Sequence, residues 1–448
     1  MKTVYLAAVV SCLGMMSYGQ FFGWPSPSLP LLLQPGNPVH VTSQEGTWVT
    51  SCQALGAIFG AILCTYIINI IGRKWTVLLT AVPAITGWLL IAFASSVWEL
   101  YVGRFICGIS SGSGYVSVVM YMGEISPARI RGILTSALTV AVKIGLLIEW
   151  IIGPFLSTRN LALVSMSLPI VFVLSIVWLP ESPYHLMRRG KHQEAIQTLA
   201  RIRGTMNVSV EAENMEKSVK IDLENDTGLR ELLTVSGNRK ALTVVVCLAV
   251  IQQWSGSMAI ISYAELTFTA TGNNFEGKYI TMMLGAVQVV SAMFSTVVVD
   301  SFGRRTLLIF STFGTSMSTM LVGLFFYLQH RQMDVDSIVW LPAIGTLSYI
   351  ITYAVGLAGI PFTMISEVFP TNVKALGSTI GIMCCNLFGF FVTVCFPSIV
   401  EAFGRYASFW LFSGITLMGM VFVYCYVPET RGKTLQEVQD QLHGRKLF

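Results

Sequence analysis

The sequence predicts an all-α membrane protein with twelve transmembrane helices arranged as two six-helix halves. Composition is the first reason. Hydrophobic residues make up 54% of the 448 residues and charged residues 11%, with a mean hydropathy of +0.67, whereas a soluble chain carries about 25% charged residues. The second reason is patterning, because charged residues cluster between apolar runs and the same charged motifs occur in the same order in both halves.

Apolar runs of about 20 residues are long enough to cross the hydrocarbon core of a bilayer. The first run, which follows Met1-Lys2, could also be read as a signal peptide. It continues to Trp24 without a cleavage boundary, so we interpret it as the first span. The twelve candidate spans are 4–24, 47–70, 75–95, 98–123, 132–156, 159–179, 239–269, 278–299, 305–328, 338–365, 375–400 and 405–427.

The placement of lysine and arginine predicts the orientation of these spans. All but six of the 28 basic residues lie in the two termini or in loops on one common side. We therefore expect both termini to be cytoplasmic. The net charge of +5 reflects this asymmetry and contact with anionic lipid, and we expect no nucleic-acid partner. The six exceptions are Arg104 and Lys143 within spans, and Arg159, Lys278, Arg331 and Arg405 in outer loops.

A single long polar segment separates six spans from six. We predict an N-terminal six-helix bundle over 1–180, a cytoplasmic helical linker over 181–238, a C-terminal six-helix bundle over 239–427 and a cytoplasmic tail over 428–448. Within the linker, helical spacing predicts a helix over 191–204 that ends at Gly204, and two further short helices over 210–222 and 228–235.

The nine cysteines lie inside apolar spans, so we expect no structural disulfide. The sequence contains no metal-ligand cluster, phosphate-binding loop or catalytic triad. We therefore expect no metal, no cofactor and no enzymatic activity.

Three charged motifs occur twice. Gly72-Arg73-Lys74 returns as Gly303-Arg304-Arg305, Glu124-Ile-Ser-Pro127 as Glu367-Val-Phe-Pro370, and Pro180-Glu181-Ser182 as Pro428-Glu429-Thr430. Parallel duplicated halves of this kind are typical of alternating-access transporters.

The motifs together resemble the sugar porter family of the major facilitator superfamily, and the resemblance covers essentially the whole chain. Besides the repeated motifs, it includes Arg104-Phe-Ile-Cys-Gly108 and Gln252-Gln253-Trp-Ser255-Gly256. The short first outer loop, 35–46, and the run that begins at Val427 are most similar to insect facilitated trehalose or hexose transporters. The resemblance implies the major facilitator fold.

The resemblance also implies that the charged motifs act in gating. We expect a cation at one helix end to sit next to a carboxylate of the neighbouring half and to hold the cytoplasmic face shut. A role as topology anchors would explain the arginines but not the carboxylates beside them. Asn69 stands where the second half has Asp300, so we predict a weaker latch in the first half. The gating residues are Arg73, Glu124, Arg131 and Glu181 in one half, and Asp300, Arg304, Glu367, Lys374 and Glu429 in the other.

Sugar recognition needs neutral groups that both donate and accept hydrogen bonds, and amides do both. Gln252 and Gln253 match the family's seventh-span pair, although a glutamine in a membrane also serves as a contact between helices. Several family ligands are replaced, by Thr139, Met258, Ala354 and Cys385, which favours a solute other than a tightly bound hexose. The candidate substrate-binding residues are Gln252, Gln253, Gln288, Phe362, Asn386, Thr139 and Lys143.

Two further expectations concern charge inside the spans. Proton-coupled members of the family carry an aspartate where this chain has Pro25, so we expect uniport. Lys143 lies near the predicted bilayer midplane, four residues after Thr139, where we expect it to line the translocation path. Its role there stays open between binding an anionic substrate, repelling cations and protons, and pairing with a carboxylate. We also expect Arg104 and Glu149 to form an ion pair in the outer half of the membrane, since unpaired charges in a span are costly.

The function that follows is facilitative uniport of a sugar, trehalose or a hexose, by alternating access across the plasma membrane. We expect the protein to act as a monomer in contact with membrane lipid. Two alternatives remain: transport of a non-sugar small organic solute, or sugar sensing by a protein that keeps the transporter fold. Intact charged motifs in both halves favour a transporter that moves.

Overall fold

The computed structural model describes residues 2–37, 39–205, 207–224, 229–271, 276–431, 433 and 437–438. Side chains are not described for residues 128, 221–224, 229–230, 300, 366, 371–372 and 374–375. The described residues are almost entirely helical, with short turns between helices. This confirms the all-α class.

The described residues of the first half and the linker form thirteen α-helices and one 3₁₀ helix, Gly153–Phe155. In chain order the α-helices are α1 (Lys2–Gly23), α2 (Pro25–Leu32), α3 (Ser43–Ile71), α4 (Arg73–Leu79), α5 (Ala81–Ala92), α6 (Val97–Ile125), α7 (Ala128–Ile152), α8 (Thr158–Ser165), α9 (Ser167–Ile176), α10 (Pro183–Arg188), α11 (His192–Arg203), α12 (Ser209–Glu224) and α13 (Leu229–Thr234).

In the part of the second half that the structure describes there are nine further α-helices and a second 3₁₀ helix, Asp336–Ile338. They are α14 (Ser236–Trp254), α15 (Ser257–Ser262), α16 (Ala264–Thr269), α17 (Gly277–Ser301), α18 (Arg304–His330), α19 (Leu341–Val355), α20 (Ile360–Val368), α21 (Thr371–Phe403) and α22 (Arg405–Tyr426).

Twelve helical segments among the described residues are long and apolar enough to cross a membrane. They are Lys2–Leu32, Ser43–Ile71, Arg73–Ala92, Val97–Ile125, Arg129–Phe155, Thr158–Ile176, Ser236–Ser262, Gly277–Val299, Arg304–His330, Asp336–Ile365, Leu376–Phe403 and Arg405–Tyr426. The predicted number of spans is confirmed. The first segment extends beyond the predicted end at Trp24, because α2 continues it after a break.

The chain forms two compact units. The first unit consists of Met1–Trp24, Gly36–His40 and Cys52–Asp226, and so includes most of the linker. The second unit consists of Pro25–Pro35, Val41–Ser51 and Thr227–Phe448. Helix α2 therefore packs with the second unit, where it contacts α15 and α16, and the Ser26 hydroxyl accepts a hydrogen bond from the Glu265 backbone N–H at 3.2 Å.

The predicted linker helices are present as α11, α12 and α13. The first ends as expected at Gly204, whose backbone is left-handed with φ 72°. Helices α10 to α12 share a small core that includes Met187, Leu199 and Ala212. Arg203 ties this group to the first bundle, because its guanidinium donates to the Ile125 carbonyl at the end of α6 at 2.8 Å.

In the first unit, α1 and α7 pack together at backbone distance. A Cβ added at Gly19 on α1 would lie 2.0 Å from the carbonyl oxygen of Val142 on α7. Lipid provides no hydrophobic driving force between helices, so such contacts depend on small residues that allow close van der Waals packing. Gly19 therefore sets the distance between these two helices.

In the second unit, two transmembrane segments are interrupted. Ser255 and Gly256 separate α14 from α15 in the seventh span, and residues 356–359 separate α19 from α20 in the tenth. Irregular backbone at membrane depth is tolerated where protein groups satisfy it. Here the Leu357 N–H donates to the Ser311 hydroxyl at 3.0 Å, and the Ser295 hydroxyl donates to the Ala354 carbonyl at 2.7 Å.

We predict that Gly19→Ala destabilises the protein by about 1–3 kcal/mol, because the added methyl meets backbone that no side-chain rotation can move. Thermal unfolding of the purified protein in detergent measures the loss. Gly123→Ala is the matched control, since a Cβ at Gly123 meets nothing within 4 Å. Equal unfolding temperatures for the two variants would contradict the prediction.

Candidate functional sites

The repeated motifs of the first half assemble into one cluster of Arg73, Glu124 and Glu181, which we call the first latch. The Arg73 side chain is fully buried, and its Nε donates to both Glu124 carboxylate oxygens at 3.1 Å. The Glu181 carboxylate accepts hydrogen bonds from the backbone N–H groups of Arg73 and Lys74 at 2.9 and 3.0 Å. These are the first residues of α4, whose free N–H groups and helix dipole favour an anion.

Gly72 makes this arrangement possible. Its φ of 104° lies in the left-handed region, and a Cβ at this position would lie 2.5 Å from Glu181 Oε2. A side chain would therefore displace the carboxylate from the start of α4. The two residues of the Gly-Arg pair thus have different functions. Gly72 leaves room for the Glu181 carboxylate at the start of α4. The Arg73 side chain binds the Glu124 carboxylate.

The second latch, Arg304, Glu367 and Glu429, repeats this arrangement in the second unit. The Glu429 carboxylate accepts from the backbone N–H groups of Arg304 and Arg305, at the start of α18, at 2.9 and 3.1 Å. Arg304 Nη2 lies 3.3 Å from Glu367 Oε1. The order and the chemistry of the contacts match those of the first latch.

One expectation about the latches is corrected by these contacts. Each arginine binds a carboxylate of its own unit, whereas we expected a carboxylate of the neighbouring half. The reason is that each Pro-Glu-Ser/Thr segment returns to the start of the third span of its own half. The weaker first latch stays a prediction, because it compares Asn69 with Asp300, whose side chain lies outside the described part of the structure. The Arg73 and Glu124 side chains are 0% and 12% exposed, against 17% and 29% for Arg304 and Glu367.

The other predicted gating residues lie around the latches. Asn69 Oδ1 accepts hydrogen bonds from Arg73 Nη1 at 3.4 Å and from Arg188 Nη1 at 3.2 Å. Arg131 is exposed and its Nη2 donates to the Ser126 carbonyl at 3.3 Å. The side chains of Asp300 and Lys374 lie outside the described part of the structure.

Sequence reasoning missed three residues of the latches. The Ser182 hydroxyl donates to Glu124 Oε2, and the Thr430 hydroxyl donates to Glu367 Oε2 at 2.5 Å. Both hydroxyls occupy the same position in the repeated motif, and this was the signal that could have revealed them. His185 Nδ1 accepts a hydrogen bond from Arg73 Nη1 at 2.8 Å, so its ring is neutral at that nitrogen.

Gln252 occupies the junction of the two interrupted segments. It is 2% exposed, and its Nε2 donates to the carbonyls of Leu357 and Ala358 in the break of the tenth span, at 2.8 and 3.3 Å. Its Oε1 accepts from the Cys385 thiol at 3.5 Å. In this structure the Gln252 amide therefore holds the break of the tenth span in place and has little capacity left for a ligand.

Two other predicted amides have unused capacity. The Oε1 atoms of Gln253 and Gln288 are buried and have no hydrogen-bond partner among the described residues. Asn386 donates its Nδ2 to the Ile382 carbonyl at 2.9 Å and is half-buried. Phe362 is 45% exposed and can supply an aromatic surface. A buried acceptor without a partner is costly, so these amides fit a bound polar solute or water.

Thr139 and Lys143 lie one turn apart on α7 in the first unit. Thr139 is exposed and Lys143 half-buried. Neither residue lies at the Gly19 contact, where Val142 meets α1.

Arg104 and Glu149 are both fully buried in the first unit and interact electrostatically. Neutral groups also form hydrogen bonds with both residues. Arg104 donates to the Phe21 carbonyl at 2.8 Å and to Gln53 Oε1 at 2.7 Å, and the Ser165 hydroxyl donates to Glu149 Oε1. Glu149 Oε2 has no hydrogen-bond partner among the described residues. The two groups thus interact electrostatically within the first unit, and the ion pair stays a prediction.

Two six-helix halves that carry the same latch define a membrane transporter of the major facilitator class. The family model for sugar (and other) transporters matches residues 7–442, and the chain belongs to this family. It is a multi-pass membrane transport protein and not an enzyme.

Named relatives and solved structures agree with this assignment. The facilitated trehalose transporter Tret1 of Polypedilum vanderplanki is 33% identical over 99% of this chain and 88% of that protein. The Tret1 of Aedes aegypti is 32% identical over 99% of this chain. The chain spans 55% of the length of that protein. The inward-open conformation of the xylose transporter XylE from E. coli shares the fold, with a TM-score of 0.82, 22% identity, and coverage of 98% of this chain and 99% of that chain.

We predict that Glu124→Gln destabilises the protein by about 3–5 kcal/mol, because it leaves the Arg73 charge buried without its carboxylate. Glu367→Gln is the matched comparison and should cost about 1 kcal/mol, since Arg304 and Glu367 are partly exposed to solvent. Thermal unfolding in detergent compares the two variants. Equal losses of stability in the two variants would show that the greater burial of the first latch does not make its ion pair more important for stability.

We also predict that stability falls as the pH drops from about 6.5 toward 4. Burial, followed by the charges of Arg73, Arg189 and Arg188, lowers the pKa of His185 from 6.5 to about 4. Between these values the unfolded state binds the proton and the folded state does not, so acid favours unfolding.

In His185→Gln the decline between pH 6.5 and 5 should be smaller, because glutamine keeps an acceptor for Arg73 but does not titrate. His192→Gln, at an exposed position, should leave the pH profile of the unfolding temperature unchanged. A profile for His185→Gln that matches that of the natural protein would contradict this assignment.

Proposed function

We propose that this protein carries a sugar, trehalose or a hexose, down its concentration gradient across the plasma membrane by alternating access. It acts as a monomer surrounded by lipid, with both termini in the cytoplasm. The latches close and open during the cycle, and Gln253, Gln288, Asn386 and Phe362 contact the sugar.

The repetition of the latch supports this proposal most directly. Each latch joins the ends of three different segments: the start of one helix, the end of another and the Pro-Glu-Ser/Thr turn. Relative movement of these segments changes the contacts, so the latch biases an equilibrium between conformations. A binding protein that does not move would have no use for a second copy. This observation favours a moving transporter over a sensor.

Uniport is supported by the position of Pro25. Pro25 is the first residue of α2, and its side chain cannot titrate. Proton-coupled members of the family are expected to have an aspartate at this position. Arg104, which lies near this break, is held by the Phe21 carbonyl, by Gln53 and by the Trp24 ring at 5.2 Å. These three groups do not titrate, so Glu149, which interacts electrostatically with Arg104, is the group to test for proton binding.

Counterflow in proteoliposomes tests the proposal. Vesicles loaded with unlabelled trehalose, glucose or fructose should take up the matching labelled sugar, with no change in internal pH. A pH gradient alone should not drive accumulation. If it does, uniport is wrong, and loss of that accumulation in Glu149→Gln would identify the proton-binding group.

Gln253→Ala should weaken sugar binding about 5- to 10-fold, the size expected for one neutral hydrogen bond. Gln193→Ala, an exposed amide on α11, is the matched control and should leave the apparent affinity unchanged. Equal affinities for the two variants would remove Gln253 from the sugar site.

A further inference from the structure

Lys143 is a cation near the middle of a transmembrane helix. It belongs to the segment Arg129–Phe155 and lies 12 residues beyond Arg131, which is about 18 Å along the helix axis. A lysine at this depth is costly in lipid and normally faces a cavity or a partner. The nature of that partner is therefore a functional question.

The described part of the first unit offers no anion to Lys143. No ion pair or hydrogen bond involves its ammonium there. Arg104, the other cation within a span of this unit, contrasts with it, because a carbonyl, an amide oxygen and an indole ring hold its guanidinium. The described residues of this unit therefore hold the arginine, whereas they give the lysine ammonium no polar partner.

The Lys143 side chain also lies on a different face of α7 from the contact with α1. Helix α1 packs against α7 at Val142, and the next residue along a helix points about 100° away. Ser136, Thr139 and Lys143 follow at spacings of three and four, so they share one face of α7. Ser136 and Lys143 are half-buried and Thr139 is exposed. One cation and two hydroxyls thus form a polar strip along one face of α7.

We infer that Lys143 binds the carboxylate of a singly charged sugar acid, so that the solutes this transporter accepts include hexuronates. This inference rests on the proposed sugar transport and specifies its substrate class. The carboxylate would accept a charge-assisted hydrogen bond from the ammonium, and the adjacent hydroxyls of Thr139 and Ser136 would contact the sugar hydroxyls.

Charge matching selects a carboxylate over a phosphate. One lysine neutralises one negative charge, and a sugar phosphate carries about −1.5 to −2 at neutral pH. A phosphate would therefore leave excess charge in the middle of the membrane. A sugar acid and a sugar phosphate both present anionic oxygens. Comparing their binding therefore shows whether the site selects a monoanion or accepts anions in general.

The experiment measures binding and uptake by the purified full-length protein in proteoliposomes. The probes are glucuronate, glucose 6-phosphate, glucose and trehalose, with Lys143→Gln, Lys143→Met and Lys143→Arg as variants. Lys191→Gln, an exposed lysine at the start of α11, is the control. Glucuronate should bind at least tenfold more tightly than glucose. Lys143→Gln and Lys143→Met should weaken glucuronate binding about 10- to 100-fold, as expected for one charge-assisted hydrogen bond, while Lys143→Arg retains most of it.

Electrogenic uptake provides a second readout that a structural role would not produce. A uniported monoanion follows the membrane potential, so its accumulation should change about tenfold for each ~60 mV, and uptake of glucose should not respond. Glucose or trehalose uptake without preference for glucuronate would overturn this inference and leave the proposed function standing. Preference for glucose 6-phosphate would overturn the monoanion assignment. Failure to bind any sugar or sugar acid would overturn both proposals.

Discussion

Inside a membrane, every polar backbone group must find its hydrogen-bond partner within the protein, and this constraint organises both units. At the starts of two helices and at one helix break, a side chain from elsewhere satisfies the exposed backbone. Glu181 and Glu429 bind the N–H groups at the starts of α4 and α18, and Gln252 binds the carbonyls in the break of the tenth span. The same groups join separate segments, so local satisfaction of the backbone also produces the long-range connections of each bundle.

The two latches show how one solution serves two environments. In the first unit the arginine is fully buried and has both a carboxylate and a neutral histidine nitrogen as partners. In the second unit the arginine and the carboxylate are partly exposed. Burial strengthens electrostatic interactions and makes an unpaired charge more costly. Loss of a carboxylate should therefore cost more free energy in the first latch than in the second, although the sequence of the first latch departs further from the family pattern.

The sequence predicted much of this structure, because the bilayer imposes long apolar runs that are easily counted. The twelve spans and the three linker helices followed from hydropathy and helical spacing, and the repeated motifs identified Arg73, Glu124 and Glu181 as one group. The partners within that group did not follow, since spacing along a chain does not reveal that Glu181 binds backbone N–H groups and Glu124 a side chain. The use of Gln252 was equally hidden, because the carbonyls it binds are exposed by a helix break more than 100 residues away. The sequence showed Lys143 as an unusual charge within a span, but only the folded structure shows that the described residues of its unit give it no ion pair or hydrogen bond.

The backbone contact at Gly19 has a mechanical consequence. Two helices that touch through main-chain atoms cannot slide or rotate past each other as helices separated by flexible side chains can. Helices α1 and α7 therefore behave as one rigid lever within the first unit. Thr139 and Lys143 are fixed to that lever, so any displacement of α1 carries the ammonium with it. A solute bound to these residues would move with the helix pair as a whole. The position of the bound solute would therefore follow the position of α1.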